Sequence, residues 1–285
     1  MRLDQWITLR MQLIWAYEKR MKHTEEFYET RNNFQTALLV KKGWAEAGQS
    51  KASVKRARKG QWLVLRQGKR LQRFSPNCEI LSIGFRFQFP TGDAVYDEGY
   101  PLCFESHLSP EFNEAALKVL EEVRLHIGDG YYLRQQEMDM EHFLMSQNAL
   151  RVFLIELAKV FHSHEMPPQT GIQENPLVSQ ALVTIDEAIN APDKKIKTSD
   201  IARRMQLSTS HLDRLMVSGT GRTIHQQIEA RKLQLAQDAL IADHSSLKTI
   251  AYDLGFSSPS HFNYWFKQRE GVTPLAYRQQ QRVHD

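Results

Sequence analysis

Ile250–Arg278 reads IAYDLGFSSPSHFNYWFKQREGVTPLAYR, and Ile201–Met216 reads IARRMQLSTSHLDRLM; laid side by side, they are two copies of one pattern. Ile201, Ala202, Met205 and Leu207 match Ile250, Ala251, Leu254 and Phe256 at identical spacing. After one extra residue in the second copy, Leu212, Leu215 and Met216 match Phe262, Trp265 and Phe266, and Gly221 and Thr223 echo Gly271 and Thr273. Each copy predicts a helix with an apolar stripe, a tight turn, a Ser or Thr cap and a second helix, the plan of a helix-turn-helix. Small Ala202 and Ala251 let the paired helices approach, and Gly255 is free to take the positive φ that ends a helix. Gln206 stands where Gly255 does, so the spacing predicts a slightly different turn in the first copy, because a left-handed non-glycine costs about 1 kcal/mol.

With Leu212, Leu215 and Met216 turned inward, the outer face of the first copy's second helix carries Ser210, Asp213, Arg214 and Val217. The corresponding face in the second copy carries Ser260, His261, Tyr264 and Lys267, with Asn263 beside it. Faces of this kind fit a DNA major groove. Arg214 has the chemistry for bidentate bonding to guanine O6 and N7, and Asp213 either accepts from cytosine N4 or orients Arg214. Lys267, Arg222 and Arg278 are the expected phosphate contacts, which anchor without reading sequence. Between the copies, RTIHQQIEARKLQLAQDALI lacks Gly and Pro and repeats apolar residues at helical intervals. A rod of roughly 30 Å results, close to the ~34 Å turn of B-DNA, so two recognition helices would reach successive major grooves.

The motif Ile250–Arg278, with its IA, GF, S, F, FK, G-x-TP and closing YR, resembles the AraC/XylS family of transcriptional regulators. The resemblance covers about 110 residues from Leu177 onward. It implies that the helix around Ser210, Asp213 and Arg214 makes the more base-specific contacts, and that the helix around Ser260, His261 and Tyr264 contributes variably. Tyr264 stands where a basic residue is common. The resemblance further implies a cupin-like sensor half, a small-molecule effector such as a sugar or related metabolite, activation more often than repression, and RNA polymerase as a further partner.

The rest of the chain sets the frame for this domain. Its 285 residues suit two domains. Hydrophobic residues are 41% and charged residues 25%, with a mean hydropathy of −0.50, an ordinary globular composition. No apolar run approaches a membrane span, and MRLDQWITLRMQLIW lacks the unbroken apolar stretch of a leader, so export is not expected. Two cysteines, Cys78 and Cys103, with no CxxC pair suit a reducing cytoplasm. The net charge of +4 permits a nucleic-acid partner, and about +3 of it lies from Asn175 onward.

Strand-like alternation at Ile7–Tyr17 and Leu81–Phe89, with β-rich TALLV and QWLVL and closely spaced turn glycines, predicts a small antiparallel barrel or sandwich over the first ~105 residues. Helical spacing follows Pro110 and again from about Gln135 to His162, where Leu150, Leu154, Leu157 and Phe161 form a stripe that either packs on the β-domain or pairs two copies into a dimer. HSHEMPPQTGIQENP has linker composition. The expected fold is therefore α+β: a β-rich domain with accessory helices at 1–165, which the resemblance implies is cupin-like, effector-sensing and the site of dimerisation, a linker at 166–176, and an all-α double helix-turn-helix domain at 177–285.

For the sensor half, Trp44, Trp62 and Arg73 are the candidate effector-binding residues, since aromatic rings stack on sugars or planar ligands. The basic stretch from Lys41 to Arg73 reads as solvated strand edges, with an anionic effector as the alternative. No histidine lies between His23 and His107, so a cupin metal site is not expected, and HSH at 162–164 reads as a polar helix end. No phosphate loop, nucleophile elbow or HExxH helix occurs. The sequence predicts no enzyme, cofactor or metal; the competing reading is a cupin-like enzyme or an interaction protein with a helical C-terminal domain.

Overall fold

A computed structural model of the chain describes residues 9–127, 133, 137–169, 175–190, 196–242 and 245–282. It divides into two compact units: one is Met11–Phe87 with Ala94–Gln169, and the other is Thr170–Arg282 with Gln88–Asp93 and the described residues before Met11.

The first unit is β-rich. Its strands are β1 (Arg10–Arg20), β2 (Tyr28–Asn32), β3 (Gln35–Lys42), β4 (Trp44–Gly48), β5 (Lys55–Arg58), β6 (Gln61–Leu65), β7 (Gly68–Phe74), β8 (Glu79–Gln88) and β9 (Leu102–Glu105). They form two antiparallel sheets, ordered β1-β8-β3-β6-β9 and β2-β7-β4-β5. The alternation predicted from Ile7 corresponds to β1, which begins at Arg10; Ile7 itself lies outside the described residues. Helices α1 (Pro110–Ile127) and α2 (Met140–Ser163) pack against each other and cover the first sheet.

Interior strand β8, between β1 and β3, is buried on both faces from Ile80 to Gln88, because its alternating sides meet different partners. On one side Phe85 meets Phe153 of α2 edge-on at 5.4 Å. On the other, the Trp15 ring lies over Gly84, where any Cβ would stand 2.7 Å from it, and Trp15 Nε1 donates to Ser82 Oγ at 3.1 Å. The stripe Leu150, Leu154, Leu157 and Phe161 is buried in this unit's core, so of its two expected roles it performs packing.

The second unit is helical: α3 (Pro176–Asn190), α4 (Thr198–Arg204), α5 (Thr209–Thr220), α6 (Ile224–Ala242), α7 (Leu247–Asp253), α8 (Pro259–Glu270) and α9 (Pro274–Arg282). It has two apolar cores. Val178, Leu182, Ile185, Ile201, Leu212 and Met216 fill one, and Ile250, Phe256, Phe262, Trp265, Phe266 and Tyr277 fill the other. The 19-residue α6 belongs to both, giving Ile224 and Ile228 to the first and Ala236 and Leu240 to the second. Among the described residues, no helix is long and apolar enough to cross a membrane.

Candidate nucleic-acid interface

The two copies fold alike, hydrogen bond by hydrogen bond. In the first turn, Leu207 N donates to Ala202 O at 2.9 Å and Gln206 N to Arg203 O at 3.0 Å; in the second, Phe256 N donates to Ala251 O and Gly255 N to Tyr252 O, both at 3.0 Å. Gln206 has φ 57° and Gly255 φ 80°, so the first copy adopts the same left-handed turn, contrary to expectation, with a non-glycine residue in it. Ser208 Oγ accepts from His211 N and Ser258 Oγ from His261 N, each at 3.2 Å, capping α5 and α8. Gly221 and Gly271, at φ 70° and 75°, end those helices, and Thr223 and Thr273 cap α6 and α9, accepting from Gln226 N and Ala276 N.

This scaffold fixes which residues face outward. On α5, Ser210, Arg214 and Val217 are exposed, Val217 at 46% despite being apolar. On α8, Ser260, His261, Asn263, Tyr264 and Lys267 are exposed, Tyr264 at 67%. Among the described residues no ion pair engages Arg214 or Lys267, so both cations are available to a ligand.

Three expected DNA residues are otherwise employed. Asp213 Oδ1 accepts from Ile224 N at 3.0 Å, satisfying a first-turn N–H of α6. Arg222 donates through Nη2 to Asp93 Oδ1 at 2.9 Å and through Nη1 to Thr91 O at 3.2 Å; Gln227 shares that carbonyl at 3.0 Å, all within this unit. Arg278, expected on phosphate, is buried and donates to Ser245 O at 2.8 Å, bracing the turn into α7.

The sequence reading also missed contributors. Trp265 Nε1 donates to Glu229 Oε2 at 2.6 Å, Arg269 pairs with the same carboxylate, and the Arg269 guanidinium lies 4.6 Å over the Trp265 ring. One carboxylate of α6 thereby holds α8, just as Asp213 holds the start of α6. Glu229 and Arg269 are 40 positions apart, and no local pattern joins them. Exposed Arg203, Arg204 and Lys248 add positive charge beside the two turns; Arg203 also pairs with Asp200.

The effector candidates do not converge. Trp62 is buried towards the helices, with Nε1 donating to Asn113 Oδ1 at 2.7 Å and its ring 4.9 Å from Phe112. Trp44 and Arg73 lie together on the outer face of the second sheet, where Arg56 and Arg73 stack over Trp44 at 4.6 and 5.6 Å and both bond Glu46. At the surface of the basic stretch, Lys41 pairs with Glu18, Lys42 with Glu79, Arg66 with Asp97 and Lys69 with Glu29.

The sequence pattern of a helix-turn-helix domain matches residues 201–280. Over 104 residues the chain is 33% identical to the Xylose operon regulatory protein of Escherichia coli K12, covering 36% of this chain and 26% of that protein. It is 29% identical over 156 residues to the HTH-type transcriptional activator RhaR of Cronobacter sakazakii, covering 52% and 53%. With the transcriptional activator RhrA of Rhizobium meliloti it shares 26% over 151 residues, covering 52% and 46%. The chain thus spans about a quarter to a half of these relatives' length. Among solved structures, ToxT from Vibrio cholerae O395 overlays 97% of this chain and 99% of its own at a TM-score of 0.51 and 13% identity, a likeness of fold. ToxT of strain SCE256 bound to an unsaturated fatty acid gives a TM-score of 0.50 at 17% identity over 94% of each chain.

Proposed function

We propose that the chain is, through its C-terminal domain, a member of the AraC/XylS family of transcription regulators, and that it binds a specific double-stranded DNA site and regulates transcription in response to a small molecule. The observation carrying this reading is the pair of outward faces, Ser210, Arg214 and Val217 on α5 and Ser260, His261, Asn263, Tyr264 and Lys267 on α8, set on identical turns at the two ends of one connecting helix. Arg214 reads a base, and Lys267 anchors a phosphate. The chain acts in the cytoplasm as a homodimer, meets RNA polymerase at its promoter and catalyses no reaction. Activation is supported by the similarity to the activators RhaR and RhrA, and a sugar or related metabolite as effector by the similarity to the xylose operon regulator.

Effector binding to the β-rich unit would act by population shift, favouring the arrangement of the dimer in which both DNA-binding domains engage their half-sites. The test is selection of bound DNA from a randomised library by the full-length chain, at two salt concentrations and with a panel of sugars. Two half-sites about one helical turn apart are expected. Arg214→Ala should lose roughly 1–3 kcal/mol on the selected site with relaxed preference at one position. An equal loss on every sequence would remove its base-reading role, and no enrichment at either salt would overturn the proposal.

A further inference from the structure

The two helix-turn-helix copies share the rod α6, and a rod sets a distance only if what it carries cannot rock. The second core grips α6 through Leu233, Ala236 and Leu240, a span of about 10 Å. Apolar packing is non-directional, so it does not by itself fix the angle of α8. One polar tie lies beyond that span. Trp265 Nε1 donates to Glu229 Oε2 at 2.6 Å; Arg269 pairs with the same oxygen, lies 4.6 Å over the indole ring and donates to Trp265 O at 3.3 Å. Glu229 stands one turn before Leu233 and directly after Ile228, which belongs to the first core. The tie therefore fastens the recognition helix of the second copy to the part of the rod that the first copy holds.

We propose that Glu229, Trp265 and Arg269 are positioning residues for DNA recognition: they fix the angle between α5 and α8, and with it the one spacing of half-sites that the chain accepts. The duplicated pattern does not require them, because the first copy carries Leu215 and Gly219 where the second carries Trp265 and Arg269. There α5 is seated differently, by close approach to α3, where a Cβ on Gly219 would stand 2.7 Å from Val178. Glu229 and Arg269 side chains are only 21% and 33% exposed, which strengthens hydrogen bonds to charge relative to open surface. On α8, Trp265 and Arg269 lie on the side turned to α6, away from Ser260, Tyr264 and Lys267, so they act through the helix and not on the bases. One inserted base pair displaces a half-site by about 3.4 Å and turns it by about 35°, a change that a held helix refuses and a rocking one follows. The inference rests on the DNA reading above and adds what decides the placing of its second half-site.

The test measures binding of the full-length chain to its selected site and to the same site with one base pair inserted between, or removed from between, the half-sites. The wild type should discriminate against both altered spacings. Trp265→Phe, which keeps an apolar ring and removes the donor, and Glu229→Ala should each lower that discrimination about tenfold, with base preference inside each half-site unchanged in library selection. Loss of folded protein weakens binding to all three DNAs alike and cancels from the ratio, so a merely structural role leaves the ratio where it was. Glu229→Ala/Trp265→Phe should discriminate no worse than Glu229→Ala alone, because both changes break one tie. Full discrimination in both single variants, or a wild type that tolerates either altered spacing, overturns the positioning role and leaves DNA binding standing. A wild type that enriches no pair of half-sites overturns both.

Discussion

At the scale of single residues, two side chains do work that their sequence positions did not announce. Gln206 occupies a left-handed backbone position that its counterpart fills with Gly255. The strain predicts that Gln206→Gly raises stability by about 1 kcal/mol, read as a higher urea midpoint with an unchanged slope. No gain would mean that other contacts of Gln206 offset the turn. The absence of glycine suggested a different turn, yet the flanking Ile201, Ala202, Met205 and Leu207 must bury as their counterparts do, and that packing overrides the local preference. Asp213 presents the second case. As the cap of Ile224 N, its loss in Asp213→Ala should cost about 1 kcal/mol of stability while leaving base preference intact in library selection. Altered preference at one base would return it to the recognition face. Helical phase puts Asp213 on the outer face, where it is partly buried because the fold brings the first amide of another helix to it.

Among elements, the ones that announce themselves have a single period and a single partner. Helices α5 and α8 were legible because burial on one side imposes a simple repeat, and strands β3 and β6 because burial on both faces leaves a short continuous apolar run. Helix α2 was half legible: its inner stripe is plain, while the outer seam of Met145, Val152 and Ile155 is interleaved with it and looks like noise until burial separates the two. The second sheet makes a related point with charge. Across β4, β5 and β7, Glu46 lies between Arg73 and Arg56. Burial alone would raise the carboxyl's pKa, but the two guanidiniums outweigh it and hold it below its ordinary value of 4.5. Its contribution to stability is therefore complete above that value and disappears as the pH falls through the lowered one. Glu46→Gln should be less stable than wild type by about 1 kcal/mol at pH 7, with the gap closing in acid. A gap that persists at about pH 2 in urea titrations would assign the loss to packing.

Considered whole, the molecule's modest net charge of +4 says little, since only unengaged cations can neutralise phosphate. Lys267 is unengaged among the described residues, whereas Arg278 is spent on Ser245 O. Lys267→Ala should therefore flatten the dependence of log K on log salt by about one unit, and Arg278→Ala should leave that slope alone while lowering the urea midpoint. Equal slopes for wild type and Lys267→Ala would remove Lys267 from the phosphate contacts. Charge counting could not tell these two cations apart, because burial of Arg278 depends on a loop 33 positions away. The doubled domain itself was legible, since duplication makes a sequence its own reference. Because α5 and α8 end their preceding turns with the same bonds and start on the same serine cap, their outward faces are exchangeable cassettes. Transplanting Ser260, His261 and Tyr264 onto α5 would rewrite the DNA word spoken by the first half of the domain without touching its grammar, and the chain could be retuned to new sites one syllable at a time.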